Sequence, residues 1–164
     1  MLQLVSATIS QNESGAAIER QSWLGVLARA TTEDLSAGFA AIGGEPPNKV
    51  LRAPETGAVM IEARAGGTGQ RFNAAEATVT RCVVQVGVTI GVSYALGRNR
   101  ERARLAAIAD AILQDAPTGS QSRGRLYDAL IVPTLKQMTE KRNASSRKAA
   151  ATRVEFFTMV RGEG

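Results

Sequence analysis

The run Ala65-Gly66-Gly67-Thr68-Gly69-Gln70-Arg71-Phe72 holds the one glycine cluster that leaves a predicted strand. Three glycines in four positions permit positive φ and close backbone approach, so successive N–H groups can converge on a phosphate with Arg71 as counter-charge. Gly66, Gly67, Thr68, Gly69 and Arg71 are therefore the candidate phosphate-binding residues. No Lys-Ser or Lys-Thr follows to complete a Walker A loop, and the spacing is not the dinucleotide fingerprint, so an ordinary loop or tight turn is the plainer alternative. A second constellation is Arg98, Arg100, Arg102 and Arg104 around the start of a predicted helix. Cations there oppose the helix dipole unless an anion or an acidic partner joins them, and two-residue spacing spreads them around the axis. The alternative is a solvated turn partly balanced by Glu101 and Asp110. Glu62, Glu76 and Asp110 fall in different elements, with no spacing that pairs them for acid–base work, and read as surface or salt-bridge groups. Cys82 stands among Val83, Val84 and Val86, where a small buried residue is expected rather than a reactive thiol.

The chain contains no histidine. Mechanisms that need an imidazole as base, triad member or zinc ligand are thereby closed to it, and a lone cysteine forms neither an internal disulfide nor a thiolate metal cluster. No catalytic residue and no metal ligand is assigned. With 164 residues, 44% hydrophobic and 21% charged, one globular domain is the expectation. The opening residues lack a basic n-region and no apolar run reaches membrane-spanning length, so a cytoplasmic protein without a membrane anchor is expected.

These groups must be positioned by a small set of elements. Residues 1–13 read as a disordered tail ahead of a single domain over 14–164. From Ser14 the period is helical, with Ile18, Trp23, Val26, Leu27 and Ala30 near one face. A second helix over Asp34–Ile42 stops at Gly43-Gly44. The period then changes to two: Val50–Ala53, a turn at Pro54-Glu55-Thr56-Gly57, and Ala58–Ala65 read as a first hairpin, with Val59, Ile61 and Ala63 on its apolar face. Thr78–Val86 and Thr89–Leu96 form a second hairpin about a type II′ turn at Gly87-Val88, which pairs Cys82 with Ser93 and Arg81 with Tyr94. Neither face of that hairpin is wholly polar, so helices are expected over one face and partial cover, from the chain or a partner, over the other. Asn99 caps a helix to about Gln114 carrying Leu105, Ile108, Ile112 and Leu113. A polar connector over 117–124 precedes a helix from Leu126, interrupted at Pro133 and continuing to about Ala150. The fold class is α+β, an antiparallel sheet of two hairpins flanked by helices, with a C-terminal strand over 153–161 as a candidate to close it.

Charge is unevenly placed. Residues 1–120 carry 11 basic and 11 acidic side chains, whereas residues 121–164 carry 9 and 4, which is the whole excess of +5. Sixteen of the 20 basic residues are Arg, the cation suited to carboxylate and phosphate. Lys136–Arg153 has no aromatic residue for base stacking, so a solvated or acidic-partner face is preferred to a nucleic-acid-binding one. The tail is apolar again, and Arg153, Phe156, Phe157, Met159 and Arg161 are the candidate partner-interface residues.

The ordered set Glu55-Thr56-Gly57, Ile61 through Phe72, Glu76 through Arg81, Gly97-Arg98-Asn99, Asp110 through Leu113, and above all Thr152 through Gly162, resembles the PhnG family of the bacterial carbon-phosphorus lyase system. The similarity runs from about Gln21 to the C-terminus, and the Gly87-Val88 turn is shorter than the family's usual one. The resemblance implies a cytoplasmic subunit for phosphonate utilisation, in a core complex with PhnH, PhnI and PhnJ, with PhnK and PhnL also in the system. Together with PhnI, PhnH and PhnL, such a subunit supports displacement of adenine from ATP by an alkylphosphonate, giving α-D-ribose 1-methylphosphonate 5-triphosphate. ATP and the alkylphosphonate are substrates of the complex, no cofactor is bound by this chain alone, and the nucleosidase chemistry is assigned to PhnI. A basic nucleic-acid binder or a purely structural interaction protein is the alternative.

Overall fold

The computed structural model describes residues 20–114 and 121–151. Five helices and three strands run α1 (Arg20–Leu27), α2 (Thr32–Ala41), β1 (Lys49–Arg64), β2 (Arg71–Val86), β3 (Thr89–Leu96), α3 (Arg100–Gln114), α4 (Gln121–Leu126) and α5 (Val132–Ala151), with a π segment over Tyr127–Ile131 joining the last two. The strands form one antiparallel sheet in the order β1-β2-β3. The α+β class is as expected. Residues 1–19 and the proposed closing strand lie outside the described residues, as do Pro117 and Gly119.

Local chemistry sets the helix ends. Thr31 and Asp34 form a reciprocal capping box at the start of α2. At its end the Gly44 N–H reaches Phe39 O at 2.8 Å and the Gly43 N–H reaches Ala40 O at 3.2 Å, with φ of 112° and 90° at the two glycines. This Schellman arrangement needs left-handed backbone, which glycine supplies without a Cβ clash. Asn99 caps α3 by accepting the Arg102 N–H at 2.9 Å. Pro133 does not begin a helix afresh. The Val132 N–H reaches back to Tyr127 O, five residues away, and this wider turn precedes the proline that lacks an N–H, so α4, the π segment and α5 form one rod. The connector is correspondingly shorter than expected, since Gln121–Leu126 is already helical.

The first hairpin is corrected. Lys49–Arg64 is a single strand paired along its length with β2, from Lys49↔Gln85 to Arg64↔Arg71. The Pro54–Gly57 region makes no reversal; a register shift between Val50 and Arg52 is followed by one between Arg52 and Glu55 that spans Pro54, where an edge strand tolerates the missing donor. The reversal falls instead at Ala65–Gly67, where Gly66 and Gly67 have φ of 57° and 84°. The second hairpin has the expected register: Val86 faces Thr89, Cys82 faces Ser93 and Arg81 faces Tyr94.

The core lies between one sheet face and α3. Thr80, Cys82 and Val84 of β2, with Gly91, Ser93 and Ala95 of β3, point inward, and α1, α2 and the π segment pack from the far side. Seen from the sequence, α3 is alanine-rich, which lets backbone approach backbone. A Cβ on Gly91 would overlap the carbonyl oxygen of Ala107 and stand 2.7 Å from the Ala111 nitrogen. Leu126 and Leu130 of the rod close on Gly38 of α2, where a Cβ would stand 2.9 Å from the Leu130 Cβ.

Candidate functional site

Asp110, on α3, is wholly buried and joins three elements. Its Oδ1 accepts from Trp23 Nε1 at 2.9 Å and Arg20 Nε at 3.2 Å. Its Oδ2 accepts from Arg20 Nη2 at 2.6 Å, the Val92 N–H at 2.9 Å and Gln114 Nε2 at 3.0 Å. The carboxylate raises the pKa of Arg20, chiefly through these hydrogen bonds. Five donors converge on the two oxygens, so no acceptor site is left over and the arrangement is a structural clasp. Asp110, expected to help balance the arginines at the start of α3, balances Arg20 instead. A signal was present: an acid within Ala106–Leu113, a stretch apolar on every side, belongs to a helix buried all round.

The clasp also finishes one edge of the sheet. In an antiparallel ladder, alternate residues direct both backbone groups to the same side. On β3 the outward set is Ile90, Val92, Tyr94 and Leu96. Val92 N–H is taken by Asp110, Ile90 O accepts from Gln114 Nε2 at 2.9 Å, and Leu96 N–H donates to Ala28 O at 3.0 Å. Three outward backbone groups of the β3 edge are thereby taken by α3 and by Ala28, the residue after α1.

The four arginines divide. Arg104 is held by Glu45 and by Glu101, the latter at 2.7 Å. That guanidinium keeps both carboxyls below the usual carboxylate range. Arg98 and Arg100 are exposed. Arg102 differs from both: its Nε and Nη2 are shut off from solvent without an acceptor.

The glycine cluster is the exposed turn between β1 and β2. The N–H groups of Thr68 and Gly69 both turn inward to Ala65 O, the second at 2.7 Å. Arg71 faces Glu62 at 3.5 Å, both largely exposed. Glu76 lies across the ladder from Met60, so the three carboxylates do not converge. Cys82 is buried, its thiol pushed up in pKa first of all by desolvation. Among the described residues no group of three or more His, Cys, Asp or Glu is placed to hold a metal, and no helix is long and apolar enough to cross a membrane. The candidate interface residues Arg153, Phe156, Phe157, Met159 and Arg161 lie outside the described residues.

The open sheet extends further than the sequence pattern suggests. β3 pairs only with Val79–Val86, so β1 and β2 run on beyond it as a two-stranded arm of roughly 23 Å. Following the register, one face of the arm carries Val59, Ile61, Ala63 and Phe72, and the same face continues across Leu96, Tyr94 and Ile90 on the body. Val59, Ile61, Phe72, Ile90, Tyr94 and Leu96 are 39–52% exposed. The charged cluster on this face is internally balanced: Glu55 receives Arg81 and Arg52, each at 2.5 Å, and the Arg81 guanidinium foremost holds its carboxyl below the usual range. Two strands with nothing behind them are marginal in water. The outer face therefore has the chemistry of a surface to be covered.

A family model described as phosphonate metabolism protein PhnG matches residues 18–162. The alpha-D-ribose 1-methylphosphonate 5-triphosphate synthase subunit PhnG of Rhizobium meliloti (strain 1021) is 38% identical over 161 residues, which span 98% of this chain and 99% of that protein. The expected resemblance holds over the whole length, including the arm and the tail, and this chain belongs to the PhnG family of phosphonate metabolism proteins.

Proposed function

We propose that the chain is an assembly and activity-supporting subunit of a cytoplasmic α-D-ribose 1-methylphosphonate 5-triphosphate synthase. It works with PhnH, PhnI and PhnJ, alongside PhnK and PhnL, and does not turn over ATP and alkylphosphonate alone. The observation that carries this reading is the uncovered outer face of the sheet. Strand spacing and rise give it roughly 600 Å² in plan, at the top of what a monomer ordinarily leaves exposed and near the ~800 Å² each partner contributes to a standard interface. The described residues offer a clasped carboxylate, balanced ion pairs and a buried thiol, which suits a subunit whose partners hold the reacting groups.

The test is co-expression of the tagged chain with the other synthase subunits. Ile61→Glu with Tyr94→Glu, both at exposed positions, should leave the chain folded and abolish co-purification; full co-purification overturns the reading. Adenine release from ATP and methylphosphonate by the purified chain alone would do the same. A share of the Gly66–Arg71 turn in the triphosphate site is a separate proposal, supported by the exposure of that turn at the tip of the arm. Arg71→Ala should then raise the ATP concentration needed by the assembled synthase, and unchanged kinetics assign the segment to turning the chain.

A further inference from the structure

We infer that the inner face of the arm, closed at its base by Arg98, Arg100 and Arg102, receives an acidic segment of a partner subunit, which lays carboxylates on the arginines and an apolar side chain on Met60. The inference rests on the reading of the chain as a synthase subunit, but it concerns the face opposite the apolar strip.

On the body the inner face carries Thr80, Cys82 and Val84. Alternation and register continue it along the arm through Thr78 and Ala58, then Glu76 and Met60. α3 covers this face only as far as its own first turn. Ser93 Oγ donates to Ala103 O at 2.6 Å, and the Gly97 N–H donates to Thr78 O at 2.8 Å, just ahead of the cap at Asn99. Beyond that level Ala58, Met60, Glu76 and Thr78 are all exposed, Met60 by 53%. Both faces of the two-stranded arm are therefore bare, and cover over the outer strip leaves the inner side in water.

Three cations gather where the helix stops. Arg100 shares the helix face of Ala103, Ala107 and Ala111, the residues set against the sheet. Helical side chains lean toward the N-terminus, so its guanidinium projects past the helix end over the inner face of the arm. Arg98 stands exposed in the turn beside it. Arg102 folds back until Nη2 lies 3.9 Å from the point where a Cβ on Gly97 would stand, and its Nε and Nη2 are shut off from solvent without an acceptor. Those two donors form the side-on fork with which Arg20 grips Asp110 in this same molecule. None of the three arginines makes an ion pair among the described residues: Glu101 is held by Arg104, Glu62 faces Arg71, and Glu76 meets no cation. Their charge also adds to the positive end of the α3 dipole. Among the described residues nothing neutralises this corner, and a carboxylate from outside the chain does.

The chemistry of the corner selects a polypeptide. Side chains two residues apart leave a helix in directions roughly 160° apart, so Arg100 and Arg102 do not close on one phosphate, and an anion that meets both is extended across the helix end. A polynucleotide has the charge, but on this face it finds no aromatic side chain to stack on and meets two carboxylates, Glu62 and Glu76. A segment bearing acids and one apolar side chain suits both the arginines and Met60. Met60 lies one inner pair, or ~7 Å, beyond Ala58, so a short stretch of chain reaches from one to the other.

The test is made in the assembly co-purified with the other synthase subunits. Arg98→Lys and Arg100→Lys keep the charge and supply amines, and a zero-length carbodiimide then joins amine to carboxylate before peptide mass spectrometry. The expected product is an amide link from residue 98 or 100 to an Asp or Glu of another subunit. No link, links confined to Glu62 or Glu76 of the same chain, or links solely to a second copy overturn the inference. Affinity gives a second readout. Arg98→Glu with Arg100→Glu places acids at the positive end of α3, where they suit the dipole, so the isolated chain should melt no lower than the native one. Its Kd for the remaining subunits should rise about tenfold or more at about 0.15 M salt, and the difference should shrink at about 0.5 M, because the contact is electrostatic. An unchanged Kd overturns the inference, and a raised ATP requirement in its place assigns the corner to phosphate. A native chain that co-purifies with no other subunit overturns both readings, whereas assembly without the cross-link overturns this one alone.

Discussion

Replacing Asp110 by asparagine keeps the size of a wholly buried side chain and removes one of its two acceptor oxygens. In the native clasp Oδ1 serves Trp23 and Arg20, and Oδ2 serves Val92, Gln114 and a second nitrogen of Arg20. Whichever way the amide is turned, its NH₂ faces donors. With the oxygen at the Oδ2 position, the Trp23 indole N–H is left unpaired inside the core, and with it at the Oδ1 position the Val92 and Gln114 donors are orphaned. A buried donor without an acceptor costs roughly 1–3 kcal/mol, and loss of a buried charge partner adds to it. The Arg20 side chain is 43% exposed and rehydrates, so its share is discounted. The expected loss is about 3 kcal/mol, a large part of the ~5–15 kcal/mol that holds a domain. Trp23 is the chain's sole tryptophan and sits in the clasp, so its fluorescence reports the transition. At a urea slope of ~2 kcal/mol/M the midpoint should fall by about 1.5 M. Arg20→Met should give a smaller shift of the same sign and serves if the asparagine variant fails to accumulate. Shifts below about 0.3 M in either variant, with unchanged slope, would refute the clasp.

Gly91→Ala forces a Cβ into the backbone of α3 at Ala107 and Ala111 and should cost about 3 kcal/mol or more, whereas Gly57→Ala, in open space, should change stability by under about 0.5 kcal/mol; thermal unfolding compares them. The Glu45–Arg104–Glu101 link predicts acid sensitivity. Both carboxyls have folded pKa values below the ordinary value of 4.5, so their stabilisation is present above that value and is lost as pH falls through the depressed folded ones. Melting temperature should accordingly drop more steeply below about pH 4.5 in the native chain than in Arg104→Met, and parallel curves would contradict the link. Cys82, buried and raised in pKa, should resist a thiol reagent at pH 8 until urea unfolds the chain; immediate stoichiometric labelling of the folded protein would contradict its placement.

Elements with strong local signals were legible. The Asn99 cap, the Gly43-Gly44 stop and the Gly87-Val88 turn each depend on residues within a few positions of one another, and the register of β2 on β3 followed from that turn alone. The β1 strand misled for the opposite reason. Pro54 and Gly57 carry the signature of a turn, and only the presence of a 16-residue partner in β2 converts the irregularity into bulges. The alternation of Val59, Ile61 and Ala63 is visible in the sequence, yet how much of the sheet is left open depends on β3 being half as long as its neighbour, a difference no local window registers. Asp110 shows the same limit, because its donors come from residues 18 and 90 positions away. For the glycine cluster, two readings fitted the residues, and its chemistry at the tip of the arm depends on what the arm meets.

The exposed apolar strip has a consequence for how much of this protein a cell can hold. A chain synthesised beyond the supply of whatever covers the strip keeps an adhesive ribbon in solution, open to self-association and to proteolysis at the same surface. Such a polypeptide is safest when its production is matched in number and in time to that of its binding surface, so the geometry of the arm places a constraint on gene dosage as well as on shape.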